Sequence, residues 1–318
     1  MQSIAQLRCS HFGQEEELVK KCLSLFVVYF FLVFPIVPAQ ESDTTRKLWD
    51  TAFIDQPKRP ASASSAKRRY RIATPNVPPD RVVADTVVGV TLWRLRPSKT
   101  TDTGERILVQ EGTESVDWIP ERVEADTKLT AGTRVRLSVE AARPGYLYVI
   151  DREQYADGSF GEPYLIFPTT RTNLGNNELK AGRIIEIPTQ DDRPPFFTLK
   201  PSRSDQVSEL ISVLVSPTPL DGLEIGATAQ KLSVQQVAKW EKSWGGTVGR
   251  LEMQNGAGKT WTRQEKEAGA DSTRSLSQEE PAPQTLYYKP QAKSGQPVMV
   301  NVALRYGRAT PTARIRRR

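Results

Sequence analysis

Residues 134–150 read RVRLSVEAARPGYLYVI, and this stretch decides the fold class. In its first half every second residue from Val135 to Val139 is apolar, which is typical of a strand with one buried face. A turn sequence, Arg143-Pro144-Gly145, separates it from Tyr146–Ile150, which is apolar on both faces. The stretch therefore predicts two strands of one domain, the second of them central in its sheet.

The same kind of pattern continues on both sides of this stretch. Short runs rich in β-branched and aromatic residues, bounded by Gly, Pro or Asp, predict further strands. Their residues are 87–96, 106–109, 115–125, 163–167, 183–187, 196–199, 210–216 and 298–306. Asp157-Gly158 predicts a hairpin turn ahead of the run at 163–167.

Only one segment has a convincing helical pattern. Ser233 is the expected N-cap of a helix over Ser233–Trp244, and Gly245-Gly246 ends it. Its expected common face comprises Val234, Val237, Ala238 and Glu241.

These elements predict a mainly β fold, a single β-sandwich-like domain over residues 81–307 with one late helix, flanked by disordered segments. Within it, residues 255–284 are polar and predict a mobile loop. The run 298–306 (VMVNVALRY) places five apolar side chains on one face. Such a face must be buried on a sheet, so the chain is expected to return to its domain after the loop.

Positive charge is concentrated outside the predicted domain. The chain carries a formal charge of +7. Residues 40–80 predict a basic disordered linker, and residues 308–318 a basic tail. Both are either solvated or attracted electrostatically to an anionic envelope surface. Nucleic acid is not an expected partner, because no recognition-helix or base-stacking signature is present.

Residues 1–39 predict a signal peptide. Lys20 and Lys21 precede the apolar run CLSLFVVYFFLVFPIV, and Val37-Pro38-Ala39 places small residues where a signal peptidase cleaves. The expected location is therefore periplasmic or extracellular. An uncleaved segment that anchors the chain in the membrane is the alternative.

Cysteine and histidine occur only in this predicted leader, as Cys9, Cys22 and His11. After cleavage the chain would have no thiol nucleophile, disulfide or imidazole base, and few ligands for zinc, copper or haem. We therefore expect no cofactor.

A set of short motifs resembles a known bacterial family. These motifs are Gly145–Asp151 (GYLYVID), Leu165–Pro168 (LIFP), Asn176-Asn177, Ala181-Gly182, Ile187-Pro188 and Phe197–Leu199 (FTL). In order and spacing, residues 134–220 resemble the family catalogued as domain of unknown function 4384. The resemblance implies an extracytoplasmic, β-rich accessory domain, which other proteins sometimes join to kinase-like or caspase-like modules. It carries no catalytic residue over to this chain.

Two groups of residues are candidates for a site. Asp151, Glu153, Asp157 and Glu162 flank the predicted hairpin, and their carboxylates are of the type that binds calcium. The spacing does not fit an EF-hand, because Tyr155 occupies a ligand position, and a solvated hairpin tip is the alternative interpretation.

Aromatic residues are the second group. Tyr146, Tyr148, Tyr155 and Tyr164 are the candidates for a ligand-binding face, for either a sugar or a peptide. The alternative is that they belong to the core.

The sequence thus favours an exported, non-catalytic module of the cell envelope that binds or supports a protein or a glycan. The alternative is a carboxylate-based hydrolase acting on envelope polysaccharide. Such an enzyme needs two carboxyl groups at a working distance, at least one of them with a raised pKa.

Overall fold

The computed structural model describes residues 70–74, 77, 86–111, 113–270, 281–290 and 292–307. The described chain is mainly β, with two sheets and two α-helices. The predicted fold class is confirmed. The predicted leader and tail, and most of the predicted linker, lie outside the described residues.

The first sheet has nine strands. They are β1 (Tyr70–Ile72), β2 (Val88–Pro97), β3 (Ile107–Glu111), β4 (Glu114–Val123), β6 (Arg134–Ala141), β10 (Ile185–Ile187), β11 (Phe197–Thr198), β14 (Gly249–Met253) and β15 (Thr285–Tyr288). β2 pairs with β6 along one edge, and with β15 and then β4 along the other. All pairs in this sheet are antiparallel.

The second sheet has seven strands. They are β5 (Lys128–Leu129), β7 (Gly145–Tyr155), β8 (Tyr164–Phe167), β9 (Glu178–Leu179), β12 (Gln206–Ser216), β13 (Gln230–Lys231) and β16 (Val298–Tyr306). The long strands β7, β12 and β16 lie side by side and antiparallel at its centre. β7 is therefore a central strand, as its sequence predicts.

Apolar side chains from both sheets form the main core. The first sheet contributes Val135, Leu137 and Val139 from β6, and the second contributes Leu147 and Val149 from β7. From β16, the expected apolar face is buried as far as Leu304. The alternation read from the sequence thus identifies which face of these strands is internal.

The first helix, α1, spans Val234–Trp244 and begins, as predicted, after Ser233, whose side chain accepts a hydrogen bond from the backbone N–H of Gln236. The predicted face is confirmed at Val237 and is wrong at Val234 and Ala238. Val234 is half exposed and Ala238 is exposed, whereas Val237 and Trp240 pack on the outer face of the second sheet. The Trp240 ring buries far more apolar area than an alanine, so it determines which face of the helix turns inward.

The second helix, α2, spans Arg263–Ala270 and lies in the predicted mobile loop. For this part of the loop the prediction is wrong. Trp261 is only 2% exposed, and Glu265 is buried as well. The segment has few apolar residues, but it is fixed by one large aromatic ring and by paired charges, which a scan for apolar content does not detect.

A smaller correction concerns the predicted linker. Residues Tyr70–Ile72, within the predicted linker of residues 40–80, form β1, which pairs with β14 at the edge of the first sheet. Tyr70 is buried there and donates a hydrogen bond from Oη to the carbonyl of Pro283 (2.7 Å). The backbone pairing with β14 and this buried tyrosine attach residues 70–72 to the sheet.

Candidate functional site

Three carboxylates meet at one end of the second sheet. Asp151 and Glu153 follow Leu147 and Val149 on the inward face of β7, and Glu209 lies directly opposite Glu153 on β12. Because side chains alternate along a strand, all three continue the internal face beyond the apolar core. We call Asp151, Glu153 and Glu209 the acidic end.

Each of two carboxylates at the acidic end accepts two hydrogen bonds. Glu153 Oε2 accepts from Tyr155 Oη (2.6 Å) and from Ser202 Oγ (2.7 Å). Glu209 Oε1 accepts from Tyr306 Oη and Gln206 Nε2, both at 2.8 Å. Within the described chain, Glu209 Oε2 and Asp151 Oδ1 are buried without a hydrogen-bond partner.

No described Lys or Arg forms an ion pair with these three carboxylates. Burial, with the nearby charges of Glu209 and Glu153, raises the pKa of Asp151 to about 7. Burial also raises the pKa of Glu209, against the opposing effect of its hydrogen bonds from Tyr306 and Gln206. A group of like charges without a cation holds a proton near neutral pH.

The four carboxylates proposed as calcium ligands do not form one site. Asp151 and Glu153 lie inside, while Asp157 accepts hydrogen bonds from the backbone N–H and hydroxyl of Ser159 at the hairpin tip. Glu162 forms an ion pair with Lys231 (3.2 Å). In the part of the chain that the structure describes, no three His, Cys, Asp or Glu side chains are grouped to hold a metal.

The four candidate tyrosines do not share an exposed face either. Tyr146 and Tyr148 lie on the outer face of β7 with the residues that pack under α1, and Tyr148 Oη accepts a hydrogen bond from the Leu220 N–H (2.9 Å). Tyr155 is buried at the acidic end, and Tyr164 alone is substantially exposed, at 42%. Alternation along β7 places residues 146 and 148 on the opposite face from residue 155, and α1 covers the face that carries residues 146 and 148.

A cavity of about 330 Å³ lies where α1 ends beside β14, β15 and β16. We call it the helix-end cavity. The side chains that matter for its chemistry are Glu241, Val248, Arg250, Tyr287, Met299 and Asn301. None of them was a sequence-based candidate for binding. The only sequence signal near this place is the Gly245-Gly246 pair that ends α1, since both glycines line the cavity.

The charged side chains of the helix-end cavity are neutralised inside the protein. Glu241 is paired with Arg152, and Arg250 with Asp126. Burial raises the pKa of Tyr287, so its hydroxyl stays protonated. The cavity therefore combines polar hydrogen-bonding groups with an apolar wall of Val248 and Met299, and has no net charge to attract an ion.

A second buried region lies on the outer face of the first sheet. We call it the arginine–tryptophan layer, formed by Arg122, Arg136, Trp93, Trp261, Glu186 and Glu265. Each guanidinium lies 5.2 Å from the centre of a tryptophan ring and is paired with one carboxylate. Every charged member is at most 4% exposed in its side chain.

The helix α2 supplies one carboxylate of this layer, Glu265, which also forms the capping box of the helix. Thr262 Oγ1 accepts from the Glu265 N–H (3.2 Å), and Glu265 Oε2 accepts from the Thr262 N–H (3.0 Å). The other Glu265 oxygen accepts from Arg122. The sequence Thr262-x-x-Glu265 is a capping-box pattern that could have predicted this helix. The low apolar content of the surrounding residues instead favoured the prediction of a loop.

Comparisons with known protein families, with characterised proteins and with solved structures found no match. The resemblance to domain of unknown function 4384 therefore stays a prediction based on its motifs. In the described ranges no helix has the length and apolar character needed to cross a membrane. The predicted leader lies outside those ranges.

Proposed function

We propose that this chain is an exported, envelope-associated module that binds a protein or a glycan and does not catalyse a reaction. The observation that supports this most is the helix-end cavity, which offers polar and apolar contacts without an excess of charge. Binding sites commonly combine an apolar wall with a few placed polar groups.

The carboxylates around this cavity argue against hydrolysis there. Among the described residues that line it, Glu241 is the only carboxylate, and it is paired with Arg152. A glycosidase of the common type needs two carboxyl groups on either side of the bond it cleaves. Binding without chemistry is the simpler use of this geometry.

The volume and the lining residues suit one sugar ring or one uncharged side chain of a protein partner. Arg250 and Asn301 supply hydrogen-bonding groups, and the Arg250 Nε is buried without a partner in the described chain. The proposal also includes export to the periplasm or beyond. It further includes electrostatic attraction of the basic segments to an anionic surface. Both rest on residues 1–69 and 308–318, outside the described part of the chain.

A blocking substitution tests the proposal. Thr74 lines the cavity and is only partly buried, so Thr74→Trp adds bulk at its entrance. The measurement is sedimentation of the purified full chain with isolated envelope membranes and with purified envelope glycan. We expect Thr74→Trp to weaken binding at least tenfold, a difference of about 1.4 kcal/mol.

Ile72→Trp is the matched control, because Ile72 is exposed on the same segment but does not line the cavity. It should bind like the wild type. Equal binding by Thr74→Trp and the wild type would overturn the proposal, as would the failure of the wild-type chain to bind either preparation.

The acidic end favours the alternative, a carboxylate-based hydrolase of envelope polysaccharide. A general acid needs a raised pKa, and that of Asp151 is raised to about 7 beside two further carboxylates. This activity would release reducing ends from purified polysaccharide, and Asp151→Asn would abolish the release. Our proposal expects no release by either protein.

A further inference from the structure

A second, smaller cavity of about 110 Å³ lies between the turn at residues 173–176, the strand β10 and the end of α2. It is separate in its lining residues from the helix-end cavity. Its wall includes the side chains of Asn173, Asn176, Lys180, Arg183 and Thr189. We call it the Arg183 cavity.

The turn that forms one wall is held in an unusual conformation. Asn173 and Leu174 have φ values of 52° and 53°, in the left-handed region that residues other than glycine rarely adopt. The Asn173 amide donates to the Asn176 carbonyl (2.6 Å), and the Asn176 Oδ1 accepts from the Glu178 N–H (3.0 Å). These bonds fix the wall of the cavity before any ligand enters.

Arg183 is the residue of this wall, among those described, that has a buried side-chain nitrogen without a partner. Its Nη1 is buried, and it donates no hydrogen bond within the described chain. The buried Arg136, by contrast, is paired with Glu186 at 2.9 Å. A buried guanidinium N–H without an acceptor is costly, so this position favours an acceptor from outside the chain.

The remaining charges around the cavity compensate one another. Glu186 is neutralised by Arg136, and the exposed Glu178 is offset by the exposed Lys180 two residues later. Gly269 and Ala270 of α2 also line the cavity and bring no side-chain charge to it. The site therefore suits one negative charge and disfavours two.

We propose that the Arg183 cavity binds a carboxylate group. A guanidinium presents paired N–H donors that match the two oxygens of a carboxylate. The volume accommodates a group of this size but not a whole sugar ring or side chain in addition. The cavity is thus a subsite for the acidic group of a small ion or of a larger ligand, independent of the function proposed for the helix-end cavity.

The test uses acetate as the probe and amide NMR spectra of the full chain at constant ionic strength. Acetate should produce saturable shifts at residues 173–183 and at Gly269, with a Kd of about 1 mM or weaker. Chloride should produce none. Phosphate and sulfate, which carry more charge, should bind at least about fivefold more weakly than acetate.

Arg183→Gln should remove the saturable response, and Arg183→Lys should weaken it about tenfold because it keeps the charge and loses the paired donors. Arg171→Gln is the matched control, since Arg171 is exposed and outside the cavity wall. Should Arg183→Gln fail to fold, Arg183→Lys carries the test. An unchanged response in the Arg183 variants, no response in the wild type, or tighter binding of phosphate than of acetate would overturn the proposal.

Discussion

The arginine–tryptophan layer and the acidic end both bury charge, but they do so in opposite ways. In the layer, Arg122 and Arg136 each have a carboxylate and an aromatic ring. At the acidic end, Asp151 lies near Glu153 and Glu209 with no described cation paired to any of them. In the layer each buried charge is neutralised by a partner of opposite sign, whereas at the acidic end a carboxyl group is neutralised by a proton.

The difference determines how each region responds to change. Removing one partner from a buried ion pair leaves an uncompensated charge, so the layer is sensitive to substitution. Removing a charge from a group of like charges relieves repulsion, so the acidic end should tolerate or even gain from neutral substitutions. The acidic end should also make the stability of the fold depend on pH.

The largest expected effect is in the layer. Glu265→Ala leaves the Arg122 guanidinium buried without its carboxylate, and it also removes the capping box of α2. We expect the free energy of unfolding to fall by about 3–5 kcal/mol, measured by urea denaturation.

Glu267→Ala is the control on the same helix. Glu267 pairs with Arg263 at an exposed i,i+4 position, 2.7 Å apart. The expected loss is about 0.5 kcal/mol or less. Similar losses for the two variants would show that the buried pair contributes no more than an exposed one.

The second effect has the opposite sign. At a pH above 7, Asp151→Asn should raise the free energy of unfolding by about 2 kcal/mol. This figure is roughly half of what the pKa shift implies at about 1.4 kcal/mol for each unit. The folded pKa is raised from 3.8 to about 7, so the contribution of Asp151 to stability is greatest below its unfolded pKa and is lost as the pH rises to about 7. Urea denaturation across this range measures the difference, which should disappear at about pH 4.

Asp157→Asn provides the contrasting control. Hydrogen bonds from Ser159 lower the pKa of Asp157, so its carboxylate form stabilises the fold above its unfolded pKa and loses that effect in acid. This variant should therefore be less stable than the wild type at pH 7. A gain in stability for Asp157→Asn, or none for Asp151→Asn, would contradict the comparison.

The smallest effect concerns Tyr306. Tyr306→Phe removes the hydroxyl that donates to Glu209 Oε1. We expect a loss of about 1 kcal/mol where Glu209 is ionised, and a smaller one in acid, where a protonated Glu209 needs fewer donors. Leu108→Ala, at an exposed strand position, should change stability little and serves as the reference for the same denaturation measurement.

The strands and the core could be predicted because each depends on local alternation. Val135–Val139 and the run at 298–306 show their internal faces directly in the sequence, and Asp157-Gly158 marks the hairpin, where Gly158 has a φ of 84°. The acidic end could be predicted only in part. Asp151 and Glu153 are adjacent in sequence to the hairpin, but Glu209 and Tyr306 reach them only through the pairing of β7, β12 and β16.

The layer and both cavities could not be predicted from the sequence, because they too depend on residues that are far apart along the chain. Arg122 and Glu265 are 143 positions apart, and nothing local indicates that one compensates the other. The helix-end cavity is formed by residues from α1 and from three strands, none of which has an unusual sequence. The prediction of a loop failed at α2 because one aromatic ring, Trp261, and the buried Arg122–Glu265 pair, and not a long apolar face, attach this segment to the sheet.

The contrast between the two regions rests on the ionisation of Asp151, and carbon-detected NMR of its side-chain carboxyl group tests it most directly. The titration should be followed in the full chain, with Asp151→Asn used to assign the resonance. We predict a midpoint at about pH 7, set by burial and by the nearby carboxylates. A midpoint near the ordinary value of 3.8 would contradict this account, since it would show that the acidic end is solvated or neutralised like the arginine–tryptophan layer.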